Sequence, residues 1–202
     1  MPRLPAALKF PTALFLIFQC AVFLSSCRQK DEQPGAMQIQ LAQQMKSFFT
    51  VPASDSQKLQ GIWQAEHETI VNAIEQKYLK SYSAQPDEAS REVLRDRLKT
   101  IEIYLRIENQ NVQMLTFSGE GNLGNNTGKI TGQSKNSAKL TLTGKNNSQT
   151  SVELKFESNN ANRFKYLEDG TEMTFLRETR SAEQISSSIL QKLKNAGSLP
   201  EY

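Results

Sequence analysis

The chain has 202 residues, with 24 Lys+Arg against 21 Asp+Glu and a formal net charge of +3. It contains one histidine, His67, and two cysteines, Cys20 and Cys27. These counts exclude Cys/His zinc sites, Cys–His nucleophilic pairs and any site needing two histidines, and a charge so near balance leaves no basic stripe for nucleic acid.

Arg3 and Lys9 make a basic start. From Phe10 to Leu24 there is no charge, and the run holds Leu14, Phe15, Leu16, Ile17, Phe18, Val22 and Phe23. It is shorter than the roughly 20 residues a membrane-spanning helix requires. Arg28, Lys30, Asp31 and Glu32 close it. An uncleaved anchor and a general Ala-x-Ala peptidase site are the alternatives, but the small pair Ser25-Ser26 stands directly against Cys27. Leu24-Ser25-Ser26-Cys27 resembles the lipobox of bacterial lipoproteins. That resemblance implies cleavage after Ser26, a diacylglyceryl thioether on Cys27 and a membrane anchor made of its acyl chains, palmitate among them. Arg28 follows the cysteine; by resemblance to enterobacterial lipoprotein sorting, where Asp at that place favours inner-membrane retention, the expected address is the outer membrane, facing the periplasm, in a cell that has one.

Residues 1–26 then form a signal peptide, and the mature chain carries 22 basic against 21 acidic residues. Cys20 leaves with the signal and Cys27 is blocked, so neither a free thiol nor a disulfide is expected. The remaining 176 residues suit a single domain.

Residues 27–36 read as the lipidated cysteine and a polar tether with Pro34-Gly35, reaching about 30 Å when extended. Residues 37–57 read as a helix and a loop: Leu41, Met45, Phe48 and Phe49 share one face until Pro52. Residues 58–202 read as the main domain. Leu59-Gln60-Gly61-Ile62-Trp63 opens it as a strand. Two helices follow, with Ile70, Val71, Ile74 and Tyr78 on one face, a turn at residues 83–87, and Ala89, Val93, Leu94 and Leu98 on the next face.

Residues 101–178 alternate apolar and polar side chains, the period of half-buried strands. Ile101, Ile103, Leu105 and Ile107 oppose Glu102, Tyr104, Arg106 and Glu108, with the aliphatic face expected inside. Val112 to Ser118 follows, then a weaker strand from Lys129 to Gly132 after a turn-rich stretch at residues 121–126. Leu140 and Leu142, then Val152, Leu154 and Phe156, supply two more strands. Phe164–Leu167 and Met173–Leu176 form a hairpin across Asp169-Gly170. Ser181 and Gln184 make a capping box ahead of a helix with Ile185, Ile189, Leu190 and Leu193 on one face. The expectation is a mainly β fold with helices: an antiparallel meander of about eight strands closing into a barrel, a two-helix insertion after the first strand, and a C-terminal helix.

Gly61-x-Trp63 at the start of such a domain resembles the signature on the first strand of lipocalins and related calycins. The resemblance covers roughly residues 59–195 and implies that Gly61 and Trp63 plug one end of the barrel. The longer helical insertion is closer to the helix-turn-helix of fatty-acid-binding proteins.

Chemical motifs are few. His67 has no recognisable nucleophile context. Gly119-x-Gly121-x-x-Gly124 has dinucleotide spacing but no helix after it, so it reads as a turn region. Asn125-Asn126-Thr127 and Asn146-Asn147-Ser148 match glycosylation sequons and read as turn chemistry. No catalytic residue, metal or cofactor is expected. The expected function is a non-catalytic binding module for an apolar or amphipathic small ligand; the alternative is an envelope scaffold acting through protein–protein contacts. The expected partners are the membrane, through lipid on Cys27, and that ligand or an envelope protein, with no nucleic acid.

Overall fold

The computed structural model describes residues 34–50, 59–81, 87–118, 123–144, 146–157 and 160–195. Eight strands close into a barrel in sequence order, every neighbour antiparallel and β8 returning to β1. They are β1 (Gly61–Ala65), β2 (Glu102–Glu108), β3 (Asn111–Phe117), β4 (Leu123–Gln133), β5 (Ser137–Thr143), β6 (Gln149–Glu157), β7 (Asn160–Glu168) and β8 (Thr171–Arg177). The described helices are α1 (Pro34–Phe49), α2 (His67–Ser81), α3 (Glu88–Leu98) and α4 (Ala182–Asn195). The mainly β barrel with its two-helix insertion and C-terminal helix is therefore what the period-two pattern indicated.

Alternation in sequence becomes two faces in space. Ile103, Leu105 and Ile107 point inward, opposite Thr116, Met114 and Val112 of β3. Leu140 faces Val152, Leu154 faces Tyr166, and Phe164 faces Phe175. Phe164 and Phe175 stack at 5.3 Å, and Tyr166 lies 5.6 Å from Phe175. Each such apolar side chain contributes about 1.5–3 kcal/mol when fully buried. Asn109 (φ 56) turns β2 into β3, while Asp169 (φ 49) and Gly170 (φ 74) make the expected tight hairpin between β7 and β8.

β4 is longer than its composition suggests. Thr116↔Gly124, Met114↔Asn126 and Val112↔Gly128 are in register, so Asn125-Asn126-Thr127 is strand and not turn. Pairing with β3 on one side and β5 on the other overrides the turn preference of Gly and Asn. The Gly-x-Gly-x-x-Gly spacing falls mostly outside the described residues, with Gly124 inside β4. Asn146-Asn147-Ser148 does turn the chain, with Asn147 at φ 57.

The α2–α3 hairpin lies over one end of the barrel. Ile70, Ala73, Ile74, Leu94 and Leu98 are buried and join the interior core. Val93, expected on the packed face of α3, is instead 54% exposed, and Ala89 is exposed too. Only the Leu94–Leu98 spacing, one helical turn, follows the contact line. Asp87 caps α3 by accepting the Ser90 N–H at 2.8 Å, and the Ser90 hydroxyl, with that N–H second, holds its carboxyl below the ordinary value.

A second core lies outside the barrel, on the β2–β3 wall. Tyr104, Leu115 and Phe117 point outward and are covered by Met45, Phe48 and Phe49 of α1 and Ile185, Ile189 and Leu193 of α4. The Phe49 and Tyr104 rings meet edge to face at 5.0 Å. Arg106 donates to the Ser47 carbonyl at 2.6 Å and the Phe48 carbonyl at 3.3 Å, satisfying carbonyls that the end of α1 leaves unpaired. The Ser181–Gln184 capping box of α4 is formed in both directions, at 2.8 and 3.2 Å.

Candidate functional site

Gly61 and Trp63 belong to one constellation at the end of the barrel opposite the α2–α3 hairpin. Trp63 is buried, its indole N–H donates to the Leu59 carbonyl at 3.0 Å, and its ring packs on Phe164 at 4.7 Å. Arg177, paired with Trp63 in the β1–β8 register, lays its guanidinium 4.3 Å from the ring centroid. The same guanidinium donates to the Gln60 carbonyl at 2.7 Å. Burial lowers its proton affinity from the ordinary arginine value.

The glycine has a physical reason. Gly61 sits at φ +131, and a Cβ there would fall 2.9 Å from Arg177 Nη1. A side chain would both strain the backbone and push the guanidinium off the tryptophan. Gln60 extends this cover by donating to Asn109 Oδ1 at 3.3 Å. Arg177 was not singled out in the sequence, although it continues the inward series Met173, Phe175 at the last position of β8.

Two further polar clusters carry no sequence motif. At the hairpin end, Lys77 of α2 pairs with Glu168 Oε1 at 3.0 Å, and the Tyr166 hydroxyl donates to Glu168 Oε2 at 2.8 Å. Burial pushes the Tyr166 hydroxyl well above its ordinary pKa, and the Glu168 charge adds to the shift. Glu66 pairs with Arg163 at 3.3 Å, and Thr69 receives the Thr174 N–H at 3.0 Å, so α2 is tied to β7 and β8 at several points. On the outer wall, Arg180 donates to Glu178, Gln64 and the Tyr104 hydroxyl, which donates to Glu102 at 3.0 Å. Lys192 of α4 pairs with Glu102. Burial raises the Tyr104 pKa strongly, and Glu102 reinforces it against the opposing Arg180. Burial alone would push Glu178 up, but the Arg180 guanidinium and the backbone N–H groups of Arg180 and Thr179 outweigh it and hold the carboxyl below its ordinary value.

His67 is exposed at the start of α2, beside a groove of about 440 Å³ lined by Glu66, Lys99, Glu102 and Lys192. The described lining contains no Ser, Thr or Cys. An open groove of about 670 Å³ runs over the outer wall of β2–β5, between Gln113, Thr127, Lys129, Thr141 and Thr143. Among the described residues no three His, Cys, Asp or Glu side chains gather as metal ligands, and no helix is long and apolar enough to cross a membrane. Cys27 lies outside the described residues.

No protein-family model matches the chain, and no curated protein matches it.

The barrel interior bears directly on binding. A cavity able to hold a small ligand has a volume of about 300 Å³ or more. Trp63, Leu105, Ile107, Leu140, Leu154, Phe164 and Phe175 are 0–1% exposed. These side chains pack the part of the barrel lined by β1, β2 and β5–β8, whereas the inward-facing Thr116, Asn126 and Ile130 of β3 and β4 are half-buried.

Proposed function

We propose that this protein is a membrane-anchored envelope lipoprotein, lipidated on Cys27 and held at the outer membrane facing the periplasm. Its barrel is a filled scaffold that works through protein–protein contacts on its outer surface. The close packing of Trp63, Leu105, Ile107, Leu140, Leu154, Phe164 and Phe175 supports the scaffold over the ligand module, because an eight-stranded barrel either holds a small ligand or is filled by side chains. The lipobox Leu24-Ser25-Ser26-Cys27 supports the anchor. We read the barrel as calycin-like; the Gly61–Trp63–Arg177 plug and the meander order support that reading.

The apolar-ligand module is the second reading. It draws on the α2–α3 hairpin, whose apolar underside completes the core at one end. A ligand would have to displace that hairpin to enter. The test is native mass spectrometry of the lipidated chain purified from the envelope. A bound protein partner is the expected result; a bound lipid beyond the Cys27 acyl chains would favour the ligand module instead. Cys27→Ser tests the anchor: the variant is expected in the soluble fraction, and one that is cleaved at the same bond yet stays on the membrane overturns the lipid anchor.

A further inference from the structure

We infer that α1 is a strap whose docking on the β2–β3 wall sets how far the barrel stands from the bilayer. The inference rests on the lipid-anchor reading of Cys27 and goes beyond it. Three observations carry it. The barrel closes β1 to β8 by its own ladders, so α1 is not needed to complete a sheet. α1 is nonetheless fastened from the side, by Met45, Phe48 and Phe49 against Tyr104, Leu115 and Phe117, and by Arg106 on its last carbonyls. Only residues 28–33 separate Cys27 from Pro34, where α1 begins.

The arithmetic of reach follows from chain geometry. With α1 docked, the barrel hangs from the segment between Cys27 and Pro34, which spans at most about 24 Å. With α1 released but still helical, the span from Cys27 to Leu59 adds about 24 Å of helix. The residues between Phe49 and Leu59, which stays in the barrel core, add about 34 Å more, for a total near 80 Å. The docked helix removes some two thirds of the available reach. It also fixes one wall of the barrel, the α1 side, nearest the point of attachment.

The deciding experiment places spacers on either side of the strap. The full lipidated chain carries a donor dye on Lys139→Cys, an exposed β5 position. It is bound to vesicles of phosphatidylethanolamine and phosphatidylglycerol that contain an acceptor lipid. A Gly/Ser insert of about twelve residues between Gln33 and Pro34 is expected to raise the barrel by about 10 Å, the growth in r.m.s. span when a seven-residue tether becomes nineteen residues long. The same insert between Ser54 and Asp55 is expected to leave the height unchanged, because docked α1 bypasses it. Phe48→Asp with Phe49→Asp should release α1 and make the second insert lengthen the distance as well; if that variant does not fold, the two inserts still decide. Equal lengthening by both inserts in the otherwise unaltered chain overturns the strap. A chain that neither floats with vesicles nor carries the diacylglyceryl mass on Cys27 overturns the anchor reading, and the strap with it.

Discussion

Arg177 and Trp63 face each other across the β1–β8 seam, where the barrel closes, with the guanidinium 4.3 Å from the indole centroid and 2.7 Å from the Gln60 carbonyl. One side chain thus covers the tryptophan and ties the chain entering β1 to the last residue of β8. Arg177→Ala removes both contacts. It is expected to lower stability by about 2–3 kcal/mol, from a desolvated cation–π contact and one charged hydrogen bond. Arg177→Lys should lose less, because the ammonium keeps the charge but not the planar fork. Trp63 is the sole tryptophan, so urea titration followed by its emission checks both variants.

Three glycine-to-alanine changes should separate by mechanism. Gly61→Ala meets a positive φ and the Arg177 guanidinium, and is expected to cost about 1–3 kcal/mol. Gly128→Ala should be worse, because its Cβ would fall 2.1 Å from the Thr141 carbonyl oxygen and force β4 from β5. At Gly132 the nearest atom is 4.0 Å away, so Ala there should be within about 0.5 kcal/mol of the parent. Thermal midpoints of the three variants would reveal a different order if the seam does not have this geometry.

The Lys77–Glu168 pair lies in a poorly hydrated spot, with side chains 15% and 11% exposed. Lys77→Met leaves Glu168 with the Tyr166 hydroxyl and no cation, and should cost about 2–4 kcal/mol. Lys77→Met with Glu168→Gln should recover much of that loss, because no charge is left stranded. A double-mutant cycle, with amide exchange on α2 as the local readout, measures the coupling; additive effects would mean that the pair does not hold the hairpin.

Stability should fall at alkaline pH. Tyr104 and Tyr166 both have hydroxyl pKa values raised in the fold above the ordinary 10.0. A raised value means that the folded form keeps its proton longer than the unfolded chain. The contribution is complete below pH 10 and is lost as pH rises from there through the folded values. Tyr104→Phe and Tyr166→Phe should flatten this limb in denaturant midpoints taken between pH 9 and 11. Glu178 works in the opposite direction. Its depressed value contributes above the ordinary carboxylate range and is lost as pH falls through the folded value. Glu178→Gln should therefore weaken the acid limb and leave the alkaline one unchanged.

Period-two alternation made most of the barrel legible, since inward positions on β2, β3, β5, β6, β7 and β8 are the apolar ones. β4 was only partly legible, because Leu123–Lys129 has almost no apolar pattern and its extension comes from neighbours distant in sequence. The face of α3 was misassigned at Val93 for a related reason: a short helix leaves the phase of its contact line to the partner, not to its own periodicity. Gly61 and Trp63 announced a site, but Arg177 did not. A lone arginine at a strand end carries no local signal until β8 is folded back beside β1. The outer clusters at Tyr104 and Glu168 were hidden in the same way, each joining residues that ordinary surface composition would place in water.

The seam between β1 and β8 also dictates an order of events during synthesis. Trp63 meets its register partner Arg177 only after more than one hundred intervening residues have been made. The outer core is complete later still, once Ile185, Ile189 and Leu193 of α4 have been made. Such distant pairings slow folding and leave apolar strands uncovered in the meantime. A nascent chain stopped short of α4 holds all eight strands and the β1–β8 seam but leaves Tyr104, Leu115 and Phe117 without Ile185, Ile189 and Leu193, so a C-terminal truncation there is expected to be prone to aggregation and not a smaller form of this protein.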